Sequence, residues 1–131
     1  MESSMHMIPV YCSQVLEGRA GQQTVAAFLA GFEGVEPSLG RRRAEHNKWM
    51  GFPLRRDELI SVRRAQRHSQ GETRALEQCL EHLRAYRDGY GRDEARKALF
   101  CWEMAERHHQ LYVRLRQKID PMILDRQARA S

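Results

Sequence analysis

From Leu76 to Ile119 the apolar residues of this chain return every three or four positions, with one interruption. Leu76, Cys79, Leu80, Leu83 and Tyr86 form the first run. Gly89 and Gly91 follow, and Ala95, Ala98, Trp102, Ala105, His109, Tyr112 and Ile119 resume the rhythm. That spacing lines one side of an α-helix, whereas in a strand it would scatter the same residues over both faces. Two stripes joined at a glycine turn, with Asp93 placed to cap the second, specify an antiparallel helical hairpin. With Asp120-Pro121 as a stop, the arms come to about 18 to 27 residues, or roughly 27 to 40 Å.

The rest of the chain points the same way. MIPVYC is the one short run rich in strand formers, and no partner strand is evident. A helix is expected from about Ser13 to Phe32, where Val25, Phe28, Leu29 and Phe32 form one stripe, although Gly18 and Gly21 weaken its first half. A second helix should cover Ser38 to Met50, with Leu39, His46, Trp49 and Met50 on its apolar side. The GFP sequence at Gly51 to Pro53 then breaks it. A third helix should begin near Leu54, with Asp57 and Glu58 in its first turn and Leu59, Val62 and Ala65 facing inward. The expected fold is a single small all-α domain over residues 1–131. Residues 1–12 are expected to be a flexible N-terminal segment and 122–131 a frayed tail.

So narrow a stripe needs cover, either from the first helix or from a second copy of the hairpin. A homodimer is therefore expected, with Leu76, Leu80, Leu83, Tyr86, Trp102 and Tyr112 as its scaffold and self-association residues.

Composition excludes several classes. Hydrophobic residues at 41% and charged residues at 30% describe a soluble globular chain. The longest apolar patch, VAAFLAGF, is too short to span a bilayer, and no secretory leader is evident at the N-terminus. Cys12, Cys79 and Cys101 form no CxxC pair, which argues against a disulfide framework and for a cytoplasmic setting. Cys79 and Cys101 read as small buried hydrophobes.

Charge is uneven. Residues 1–40 carry one Arg and four Glu, whereas residues 41–67 carry nine Lys or Arg against Glu45, Asp57 and Glu58. A local excess of this kind is an electrostatic footprint. Its residues are Arg41, Arg42, Arg43, Arg56, Arg63, Arg64 and Arg67, interleaved with Trp49, Met50 and Phe52. Arg, Trp and Met are enriched at protein interfaces, so these ten residues are read as a partner-binding surface. The alternative is a nucleic-acid-binding regulator in which 41–67 acts as a helix-turn-helix-like unit with Arg63, Arg64 and Arg67 toward phosphates or bases. Against it stand Asp57 and Glu58 at the start of the reading helix. Lysine is also scarce: 19 of the 22 basic residues are Arg.

No motif fixes a reaction. GxSxG, HExxH and a phosphate-binding glycine loop are all missing from the sequence. Cys101, between Phe100 and Trp102, sits where a thiol pKa rises. Glu106 and His109 form an ExxH pair, half of what a di-iron carboxylate bundle needs. Glu77, Glu81 and His82 offer further ligands, but there is no second ExxH. The expectation is a non-enzymatic protein without cofactor or metal. It would bind a protein partner through helical surfaces and modulate its activity, in the manner of small bacterial antagonists that sequester transcription regulators. A helical metal-carboxylate enzyme is the more distant alternative.

Overall fold

The structure, a computed structural model, describes residues 2–32, 34 and 36–130. Among the described residues it is all α-helical: α1 (Glu2–Leu16), α2 (Gln22–Gly31), α3 (Glu36–Met50), α4 (Arg56–Arg87) and α5 (Asp93–Ala130). The hairpin is α4 and α5. Its arms are longer than the sequence indicated, at 32 and 38 residues.

Both arms exceed expectation for a physical reason. The stretch from Gln66 to Arg74 holds no hydrophobic residue, yet α4 runs straight through it and through Gly71. A Cβ built on Gly71 would lie 2.7 Å from Cε1 and 2.8 Å from Nε2 of His108 on α5. The missing side chain therefore lets the two arms approach, which offsets a helix-propensity cost of about 1 kcal/mol. Likewise Asp120-Pro121 does not end α5, because Pro121 lies inside it. Ile119 and Ile123, one turn apart across the proline, are both buried, and their packing outweighs one lost backbone hydrogen bond. Residues 122–130 are thus helical rather than frayed.

The N-terminal expectation is also corrected. Residues 2–12 belong to α1, with Ile8 and Cys12 fully buried despite Pro9 within the helix. The single helix expected over 13–32 is two. It breaks at Gly18, whose φ of 76° is the left-handed conformation glycine adopts freely. The Arg19 N–H reaches the Gln14 carbonyl and the Gly18 N–H the Val15 carbonyl, a Schellman closure of α1. The same pairing at Gly89 and Tyr90 closes α4 and turns the hairpin.

Two apolar cores lie along the hairpin. At the turn end, α1 and α2 cover Ala75, Leu76, Cys79, Leu80, Leu83, Ala95, Ala98, Trp102 and Ala105. At the open end, Trp49 of α3 packs with Val62, Ala65, Tyr112, Ile119 and Ile123, closed by Phe52 and Leu54 of the GFP turn. That turn is anchored by Arg126 of α5, which binds the Pro53 carbonyl and the buried Glu58 carboxylate. Glu58 in turn accepts the Arg55 N–H at 2.8 Å. The scaffold residues Leu76, Leu80, Leu83, Trp102 and Tyr112 are therefore buried by helices of their own chain, and Tyr86 is half-buried against them. Within the chain, α1, α2 and α3 supply cover for the narrow stripe.

Candidate functional site

Between the two cores the hairpin has a polar waist. It exists because α4 presents Ser69, Gly71, Glu72 and Thr73 where the cores present aliphatic residues. Arg42 of α3 reaches into it and binds Glu72 at 2.9 Å; the two side chains are only 13% and 10% exposed. Arg42 Nη2 also lies 2.7 Å from Nδ1 of His109, and its guanidinium sits 4.3 Å from the centre of the Tyr112 ring. Arg is a donor only, so Arg42 donates to both the Glu72 carboxylate and Nδ1 of His109. Glu72 then stands 3.1 Å from that nitrogen by shared contact with Arg42. Tyr112 donates its hydroxyl to Glu45 at 3.2 Å, and Arg116 approaches the same carboxylate at 3.5 Å. Burial and the Glu45 charge hold the Tyr112 phenol above its usual range. Behind the waist, His68 and His108 meet through their Nδ1 atoms at 3.1 Å. Burial, and secondarily His108, push the His68 pKa down.

The basic segment therefore divides. Arg42 is an internal strut rather than a contact residue, because its charge is matched by Glu72 inside the fold. Trp49 is likewise structural: it is 1% exposed, and its Nε1–H donates to Asp120 at 2.9 Å. Phe52 is half-buried against the second core. Met50 is 48% exposed. Arg41, Arg43, Arg56, Arg63, Arg64 and Arg67 are exposed. Arg43, Arg56, Arg63, Arg64 and Arg67 have no ion-pair partner among the described residues.

On α4 these arginines are ordered. Arg56, Arg63, Arg67 and Arg74 recur at intervals of seven, four and seven residues, which places them on one side of a helix over about 27 Å. Glu58, Val62, Ala65, Glu72 and Leu76, all buried, mark the opposite side. Ile60 lies among the arginines at 44% exposure, and Arg64 flanks them. The sequence reading missed Arg74 and Ile60. The heptad-like spacing carried the signal, but it is visible only once α4 is continuous through Gly71.

The di-metal ligand set does not assemble. Glu77, Glu81 and Glu106 are exposed, His82 is 2.6 Å from Glu94, and His109 turns toward Arg42. His108, not His109, is the histidine wedged between the arms. Among the described residues no three His, Cys, Asp or Glu side chains converge as a metal site would require. Cys12 of α1 and Cys79 of α4 are fully buried neighbours, and their shared hydrogen bond together with burial raises the Cys79 pKa. Burial does the same at Cys101. Among the described residues no helix is long and apolar enough to cross a membrane. No protein-family model, curated protein or solved structure matches this chain.

Proposed function

We propose that this chain is a non-enzymatic regulatory protein that docks an acidic protein surface onto the outer face of α4 and so modulates its partner. The observation that carries this reading is the unpaired row Arg56, Arg63, Arg67 and Arg74 with Ile60 set into it. Ile60, 44% exposed, adds an apolar side chain to that row of guanidiniums. A partner that combines carboxylates with an apolar ridge is complementary to both features. Met50, exposed beside the GFP turn, extends the apolar component.

Nucleic acid is the second reading, favoured by the excess charge of 41–67 and by the short turn joining α3 to α4. Asp57, exposed in the first turn of α4, would face phosphates there. Self-association, expected from the hairpin stripe, would have to use residues other than the buried scaffold set.

The test is affinity capture with the intact chain and with Arg56→Glu/Arg63→Glu/Arg67→Glu, each with and without nuclease treatment, with circular dichroism to confirm helicity. The reading expects one acidic protein at fixed stoichiometry on the wild type and its loss on the variant. Retention by the charge-reversed variant, or capture of nucleic acid alone with a steep salt dependence, overturns it.

A further inference from the structure

His68 of α4 and His108 of α5 meet where the two arms of the hairpin approach. Their Nδ1 atoms are 3.1 Å apart, and both residues are half-buried. The far edge of the His108 ring, Cε1 and Nε2, lies against Gly71, 2.7 and 2.8 Å from where a Cβ would stand. That contact seats the ring with Nδ1 turned to His68. Among the described residues neither imidazole has a carboxylate or carbonyl partner. As a structural device the pair is weak. One hydrogen bond between neutral imidazoles contributes about 1 kcal/mol, and two aliphatic side chains in the same place would contribute more by burial.

What the arrangement does supply is a bite. A neutral imidazole offers one lone pair and suits zinc, copper and nickel. With Zn–N bonds of about 2.0 to 2.1 Å, two nitrogens on one ion at roughly 100 to 110° stand about 3.1 to 3.4 Å apart. The observed separation lies at the near end of that range. Binding asks each ring to turn its lone pair toward one shared point, and it exchanges the proton between the two nitrogens for the ion. We propose that His68 and His108 clip a divalent late-transition ion such as zinc between the arms of the hairpin. Two protein ligands leave the other positions to water, which reaches the half-buried pair from the open side. No third His, Cys, Asp or Glu side chain joins them among the described residues. Exposed Arg64, one turn from His68, and Arg107, beside His108 in sequence, oppose a positive ion. The ion is therefore exchangeable, unlike one in a closed structural site. The clip uses no residue of the docking row and does not depend on it.

Zinc titration of the full chain, by calorimetry and by thermal melts, tests this, with magnesium as the control ion. One zinc should bind per chain. It should raise Tm, because only the folded hairpin brings the two nitrogens together. His68→Gln and His108→Gln should each weaken zinc by about tenfold or more, as loss of even a supporting contact does, and should abolish the rise in Tm. His82→Gln, at the separate His82–Glu94 pair, should do neither. In the unaltered chain the ring resonances of His68 and His108 should shift on zinc addition, a readout that needs no variant. Absence of zinc binding overturns the proposal. So does equal stabilisation by magnesium, binding that survives both His68→Gln and His108→Gln, or binding lost instead in His82→Gln or Cys101→Ser.

Discussion

Gly71→Ala sets two effects of known size against each other at the point where the hairpin arms are closest. Replacing glycine by alanine inside a helix gains about 1 kcal/mol of propensity. The new Cβ, however, would sit 2.7 Å from the His108 ring, which must shift by most of an ångström. That shift breaks the 3.1 Å contact between His68 and His108, worth about 1 kcal/mol, and adds overpacking of about 1 to 3 kcal/mol. The steric term wins, so Gly71→Ala should destabilise by roughly 1 to 3 kcal/mol, or lower Tm by about 3 to 12 °C in a domain this size. In a His108→Ala background the obstruction is gone. There Gly71→Ala should stabilise by about 1 kcal/mol, which leaves a coupling of roughly 2 to 4 kcal/mol between the two sites. Urea unfolding of the four proteins, followed by circular dichroism, measures that coupling. If Gly71→Ala shifts stability equally in both backgrounds, the arms do not meet at Gly71 and the reasoning for a continuous α4 fails.

Other consequences follow from the same waist. Arg42→Ala should cost about 3 kcal/mol because it strands the Glu72 carboxylate, whereas Arg42→Met/Glu72→Leu should cost much less, by urea unfolding. The folded pKa of His68 is depressed, so the unfolded chain binds the extra proton. Stability should be unaffected above about pH 6.5 and should fall as pH drops through that value toward the folded pKa, and His68→Gln should flatten this slope in thermal melts. Trp49→Phe should cost about 1 to 3 kcal/mol because the Asp120 carboxylate loses its indole donor, without altering capture of a partner.

What the sequence made legible was periodicity. Leu76, Leu80, Leu83, Trp102, Tyr112 and Ile119 are buried as their spacing required, and Gly89 turns the hairpin. The GFP turn ends α3 where glycine and proline together left no alternative. Breakers standing alone were less informative. Gly71 and Pro121 each cost a helix a few kcal/mol or less, and burial of Val62, Ala65, Ala75 and Leu76, or of Ile119 and Ile123, exceeds that. Side-chain direction was not legible in the basic segment. Arg41, Arg42 and Arg43 are 100° apart on α3, and only the position of Glu72 on a distant helix selects Arg42 as the strut. Trp49 could have faced out with Met50; the carboxylate of Asp120, seventy-one residues away, is what holds its indole inside.

The central claim is that the outer face of α4 meets a protein, and a photo-crosslinking residue at position 60 tests it most directly. Ile60 is 44% exposed within the arginine row, and Phe100, 63% exposed on α5, is the control position. Irradiation in the native extract should attach one protein to the probe at 60 and nothing at 100. Crosslinks from position 100 alone, or nucleic acid joined at position 60, would contradict the account.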